Sequence, residues 1–460
     1  MRWMYICFIG VQSVFLFSCK KASDFLAAKP DESQVVPTTL TDLQALLDND
    51  LIINGPGQSG YPTLGETGAD NYWIDTTILY HQFSPYYQQA YTWSSQMSSG
   101  AHEVNDWDLP YRVVLYCNEA LEDLSKLKAD GSAAYGNVKG GALFWRSYAF
   151  YTLAQIFAAP YDSIRSLSDP GIPLRQTSDL NEKLVRGTVQ QTYDSIIGDC
   201  MAALAVLPPG PPRYPTRASR AAAYGLLARV WQTVGNHHRA LLYSDSCLQL
   251  QSALLEYDTI QVTGSNPFNR TNPEILFSAD MQDIDVSPIT LHAVYVDTLL
   301  YSYYAPNDLR KRLFFTSRNG HQYFTGFYDP AYAFCGMTTA EVYLIRAESE
   351  AREGNTSLAM ADLNTLLRNR WATGTFQPYT ATDAMDALRQ ILLERRKELL
   401  FRGVRWTDLR RLNKDPHWAI TLKRIVDGTV YTLPPNDPRY VLPISDNVLS
   451  FNPGMVQNPR

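Results

Sequence analysis

Glu394-Arg395-Arg396-Lys397-Glu398-Leu399-Leu400-Phe401-Arg402-Gly403-Val404-Arg405-Trp406-Thr407-Asp408-Leu409-Arg410-Arg411 reads as a charged helix, a glycine break and a second, shorter helix. Glu398 and Arg402 stand four apart, and Asp408 is within reach of Arg405 or Arg411 on one helix face. A catalytic Glu/Asp pair is one reading of these acids. An ion-paired helix packing against a larger body is the better one, because each acid has an arginine neighbour that keeps its carboxyl ionised.

Upstream, two segments repeat one pattern of small residues. Ala228, Gly235 and Ala240 are spaced seven and five apart, and Ala347, Gly354 and Ala359 repeat that spacing. Small residues let antiparallel helices approach closely, and a glycine suits the turn between them. This is the pattern of a tetratricopeptide hairpin, with Trp231 and Tyr343 at other favoured large positions. The copies lie 119 residues apart, which excludes a tandem array. Nearer the N-terminus, Val113, Cys117, Ala120, Leu121, Leu124 and Leu127 predict a helix from Tyr111 with one apolar face. A second helix, about 141–159, is apolar on more than one face and so largely buried; Pro160 stops it. A third covers about 189–207 and ends at Pro208-Pro209. The fold class expected is mostly α: a tetratricopeptide-like scaffold of helical hairpins in one body, 41–460, with large irregular loop regions at about 51–110 and 255–334.

Met1-Arg2 opens a short apolar run, Tyr5 to Phe17, that ends at Leu16-Phe17-Ser18-Cys19. The run is too short to span a bilayer and fits a secretory signal over 1–18. A Cys directly after Leu-x-Ser resembles a lipobox, so Cys19 is the expected lipidation site and 19–40 a polar tether. An ordinary signal peptide with an incidental Cys is the alternative. The charge balance, 40 basic against 46 acidic residues, gives no reason to expect nucleic acid. Cys117, Cys200, Cys247 and Cys335 lie far apart with no metal-ligand spacing, and Cys117 falls on an apolar helix face as a buried thiol. The seven His form no ligand set, and His237-His238 are expected in a solvent-exposed turn. Gly55-Pro56-Gly57-Gln58-Ser59-Gly60 spells GxGxxG, yet Tyr61-Pro62 follows where a nucleotide site needs a helix, so a loop is expected. No catalytic residue, metal or cofactor is expected.

The chain carries Glu394-Arg395, Glu398-Leu399, Gly403, Arg405-Trp406, Asp408-Leu409 and Arg411, then Leu442-Pro443-Ile444, Asn452-Pro453 and Gln457-Asn458-Pro459. Asp106-Trp107 with Tyr111 and Asn118, the helix from Trp145 to Phe157, Pro170-Gly171-Ile172-Pro173-Leu174, and Ala221 to Trp231 precede them in order. In this combination the sequence resembles the SusD/RagB family of outer-membrane nutrient-binding lipoproteins. It departs from the family's pattern at Arg402, where Glu is usual, and at Ser445, where Pro is usual. The resemblance implies a protein on the outer face of the outer membrane that caps a SusC-like TonB-dependent transporter. It further implies delivery of oligosaccharide, or in some branches peptide, without cleavage.

Sugar rings pack their C–H faces on aromatic planes and need polar side chains at the rim. Loop composition therefore nominates Asn71, Tyr72, Trp73, Tyr80 and His81 in the first irregular region, and Tyr301, Tyr303, Tyr304, Asn307 and Tyr323 in the second. Trp93, Trp107 and Trp371 are assigned to the core. A helical glycoside hydrolase, using Asp70/Asp75 or Asp106/Asp108, is a competing reading. A tetratricopeptide scaffold for protein partners alone is a third.

Overall fold

The computed structural model describes residues 37–55, 60–99, 104–262, 267–282, 293–329 and 332–460. The expected signal segment, Cys19, most of the tether and the middle of the Gly55–Gly60 motif lie outside them. The chain enters through α1 (Leu40–Leu47) and α2 (Asp50–Ile53), then crosses a region of short elements: α3 (Leu64–Gly68), β1 (Tyr72–Trp73), α4 (Thr76–Gln82) and α5 (Pro85–Tyr91). The long helix α6 (Asn105–Lys126) begins ahead of Tyr111 and runs through Pro110. Burial of Trp107, Leu109 and Pro110 against the body overrides the breaker signal that proline carries. Its partner α7 (Ala133–Phe157) is buried along nearly its whole length, as its all-round apolar sequence requires. After the β2–β3 ribbon (Pro170–Pro173 with Arg186–Thr188), α8 (Val189–Val206) packs on α7, its start fixed by a capping box between Thr188 and Gln191.

Both tetratricopeptide-type hairpins form. α9 (Arg220–Val234) turns into α10 (His237–Leu250) at Gly235, φ 84°. The second pair, α13 (Thr339–Arg352) and α14 (Thr356–Arg368), turns at Gly354, φ 86°. Ala228, Ala240, Ala347 and Ala359 are completely buried at the close approaches. Although 119 residues separate them in sequence, the hairpins are neighbours in space, because α10 packs on α13. The intervening segment loops out and returns. Its β4 (Ile275–Phe277) pairs with β8 (Met337–Thr338), and between them lie β5 (Tyr295–Val296), α11 (Thr298–Ser302), α12 (Arg310–Leu313) and the β6–β7 hairpin (Phe315–Arg318 with His321–Phe324). His237 and His238 open α10 and do not sit in the turn; His237 is half-buried, which pulls its pKa down to about 4. The four cysteines are buried free thiols.

α15 (Ala384–Glu398), Gly403 (φ 72°) and α16 (Arg405–Leu412) follow the expected helix–break–helix order. The ion pairs differ from the local expectation. Glu398 accepts from Arg310 (3.1 Å) and Arg370 (3.0 Å), not from Arg402, whose guanidinium lies 3.9 Å over the Tyr328 ring. Asp408 accepts from Arg411 and also from Arg395, both at 2.8–2.9 Å, whereas Arg405 is taken by Asp70 at 2.7 Å. Burial opposes ionisation of Glu398 and Asp408, but their paired guanidiniums outweigh it and hold both carboxyls below the usual range. Glu274, Asp308 and Glu394 join the Glu398 group, so the looped-out segment is bolted to α15 by buried charge. The β9–β10 hairpin (Leu422–Val426 with Thr429–Leu433) and α17 (Asp446–Phe451) complete a unit that contacts join into one from Leu40 to Arg460.

Candidate functional site

β1 and β5 come from the two irregular regions and pair antiparallel, Tyr72 opposite Val296 and Trp73 opposite Tyr295. Side chains alternate faces along a strand, so Tyr72 and Val296 point into the core while Trp73 and Tyr295 share the outer face. Their rings lie 4.4 Å apart. The β6–β7 hairpin closes through Asn319-Gly320, both at positive φ, the turn chemistry a two-residue hairpin demands. It sets His321 and Tyr323 two apart on one face. His321 meets Trp73 at 5.2 Å and Tyr295 at 4.5 Å, and Tyr323 meets Tyr295 at 5.1 Å. Four rings from three chain segments thus form one partly exposed patch, with Arg318 5.7 Å over Tyr323 at its edge.

The patch has a rigid base. Phe324 packs edge-on against Phe327 and Phe401, and Tyr72 packs against Tyr91 and Phe401. Below β1, the Asn71 amide donates to Glu66 at 2.6 Å, and the Gly403 N–H reaches the same carboxyl at 3.2 Å. Burial pushes the Glu66 carboxyl up to about 7. Asp70 beside it is bound by Arg405 and Arg396; these outweigh the effect of burial and hold its carboxyl well below the usual range. Two acids with opposed environments resemble an acid/base pair, yet Glu66 is 1 % exposed and its neighbours fill the space a substrate would need. Asp106 is likewise internal: it accepts from the Thr63 and Leu64 N–H groups at the start of α3, and burial raises it to about 6. It thereby occupies the helix start that follows the GxGxxG motif, where a nucleotide phosphate would otherwise bind. Asp75 caps α4 through Thr77 N–H and Ile78 N–H.

Of the nominated residues, Trp73 and Tyr323 meet in the patch. Tyr295 and His321 were missed, although the Asn-Gly signal of the β6–β7 turn was there to place His321 beside Tyr323. Asn71, Tyr72 and Tyr304 are corrections. The Asn71 amide donates to Glu66, and strand alternation turns Tyr72 inward, where its hydroxyl donates to Thr67 O. Tyr304 lies beneath Arg310 and Lys397, its hydroxyl donating to the Lys397 carbonyl. All three are buried and closed to a ligand. Tyr301 leans on Phe315 under Lys311, whereas Tyr303 and Asn307 are exposed on the segment after α11. Tyr80 and His81 are exposed on α4. Trp93 and Trp107 are in the core; Trp371 is only partly buried, packed against Phe376 at its margin.

The fold is shared with several solved bacterial structures. A SusD superfamily protein from Bacteroides thetaiotaomicron superposes with a TM-score of 0.74 at 21 % identity, covering 92 % of this chain and 100 % of that one. A SusD-like carbohydrate binding protein from Bacteroides vulgatus gives 0.68 at 20 %, covering 91 % and 98 %. Surface glycan-binding protein A from Bacteroides uniformis gives 0.70 at 17 %, covering 92 % and 100 %. No match was found among curated proteins. Two family models match the sequence, one described as starch-binding associating with outer membrane over residues 24–231 and one as SusD family over 311–460. The chain belongs to the SusD/RagB family.

Proposed function

We propose that this protein binds oligosaccharide at the ring patch of Trp73, Tyr295, His321 and Tyr323, and does not cleave it. The observation that carries the reading is the convergence of three distant segments on one partly exposed aromatic surface backed by a packed core. Soluble proteins ordinarily bury such rings; a clustered, accessible set suits the C–H faces of sugars, with Arg318 and the His321 nitrogens at hand for hydroxyls. The sugar- and glycan-binding descriptions of the structural relatives support the same class of ligand. Three of the acids nominated for hydrolysis, Asp70, Asp75 and Asp106, are engaged within the fold, which supports binding without bond cleavage.

In this reading Cys19 carries the lipid, the body stands on the outer face of the outer membrane, and bound oligosaccharide passes to a SusC-like TonB-dependent transporter. No described helix is long and apolar enough to cross a membrane, in keeping with attachment by lipid alone. A glycan array with the purified body tests the ligand class: binding is expected, without release of reducing ends. Release of reducing ends, or absence of binding to every glycan, would refute the reading. Metabolic labelling with a palmitate analogue should mark the wild type and not Cys19→Ala, and affinity capture from outer membranes should recover the transporter.

A further inference from the structure

Helix α4 leads away from the ring patch to a second concavity. It begins three residues after Trp73, is seven residues long, about 10 Å at ~1.5 Å per residue, and ends beside an open groove of about 450 Å³. Leu79 and Tyr80 form one wall, α5 and the turn after it the second, and Tyr431 of β10 the third. The turn is held in an unusual shape. Trp93 takes φ 52°, its indole N–H donates to Gly68 O at 2.9 Å, and its own carbonyl accepts from Arg439 at 3.1 Å. A non-glycine residue held at positive φ by this many partners fixes the position of the Ser94 and Ser95 that follow it.

The groove's polar groups are only partly used. Gln88 donates to Phe83 O and Gln89 accepts from Ser98 N–H; among the described residues, the Gln88 carbonyl oxygen and the Gln89 amide N–H groups have no partner. Among the described residues, the hydroxyls of Tyr80, Ser95 and Tyr431 make no hydrogen bond. Tyr80 is 48 % exposed, so one ring face is accessible. Arg439, the one charged residue in the lining among the described residues, is neutralised by Asp437 through two bonds of 2.8 Å. Rings, amides and hydroxyls without net charge suit a neutral polyol, not an ion.

We propose that this groove is a second saccharide subsite, which takes a neutral stretch of the same glycan that lies on the ring patch. The proposal rests on the saccharide reading above. Two linked subsites make binding depend on chain length, because the second contact forms at the high effective concentration set by the first.

The test is an array of neutral and acidic glycans printed as length series, read with wild type, Tyr80→Ala/Tyr431→Ala, Ser95→Trp and Trp73→Ala. Ser95→Trp fills the groove while removing no core contact, and thermal melts check that each variant folds. The expected result is that both groove variants lower the ratio of long- to short-chain affinity at least tenfold. A wild-type-like ratio in both groove variants would overturn the second subsite while leaving the ring patch intact. Loss of all binding in Trp73→Ala supports the patch; no binding by wild type to any glycan would sink both readings. Preference for acidic over neutral chains that vanishes in the groove variants would also overturn the proposal.

Discussion

Two of the regions in which tyrosines lie under cations do opposite jobs. In the seam between the looped-out segment and α15, Tyr304 lies beneath Arg310 and Lys397, and Tyr257 beneath Arg370 at 4.0 Å. Every one of these groups is buried, and each cation is matched by Glu274, Asp308, Glu394 or Glu398. At the ring patch, Tyr323 lies under a single cation, Arg318, and its neighbours stay partly open. The residue types are the same and the burial differs. Water exclusion makes the seam's charges depend wholly on one another, so they fix register and position. Where water remains, the rings keep unspent surface and are available to a ligand.

Breaking the seam should cost most. Glu398→Ala leaves Arg310 and Arg370 each short of a buried partner, and a loss of about 3–5 kcal/mol is expected from chemical denaturation. A loss under about 1 kcal/mol would mean that the pairing contributes no more than a surface salt bridge.

Glu66 joins the two regions, since it touches both Asn71 beside β1 and Gly403 between α15 and α16. Its carboxyl ionises at about 7 when folded against 4.5 unfolded. Between those values the folded state holds a proton that the unfolded chain has released, so stability from this group falls as pH rises. The full term is on the order of 3 kcal/mol above pH 7. Glu66→Gln removes it. Wild type should therefore lose ground to the variant between pH 5 and pH 8, measured as denaturation midpoints of both proteins. An unchanged gap across that range would show that Glu66 is already ionised.

At the patch the order of effects reverses. Trp73→Ala should leave the melting temperature nearly unchanged while lowering glycan affinity about 30-fold or more, the scale of an aromatic hot spot. Titration calorimetry beside a thermal melt separates the two outcomes; equal loss of stability and affinity would make Trp73 a core residue. The smallest effect concerns the scaffold both regions stand on. Gly235→Ala and Gly354→Ala place a Cβ at φ 84° and 86° in open space, so each should cost about 1 kcal/mol from backbone conformation alone. Unequal costs would show that the two hairpins are not equivalent.

Much of the scaffold was legible because its signals are local. Spacings such as Ala228-Gly235-Ala240 are set by helix geometry and turn conformation, and a glycine at Gly403 marks its own break. Family motifs extended that reading to the C-terminal segment. The candidate patch was half legible. Tyr and Trp density pointed to the loops that contribute rings to it, but composition does not say which face a residue takes. Asn71, Tyr72 and Trp73 are adjacent in sequence; only the pairing of β1 with β5 turned Tyr72 in and Trp73 out.

The sequence by itself determined the helical hairpins, their turns and the presence of a charged helix–break–helix near the end, since each depends on contacts within a few residues. Tertiary structure alone decided that Glu398 would pair with Arg310 and Arg370, and that Trp73 would meet Tyr295, His321 and Tyr323. Those outcomes require segments separated by tens to hundreds of residues to be brought into contact, and the energy that selects them comes from burial, which no local pattern encodes.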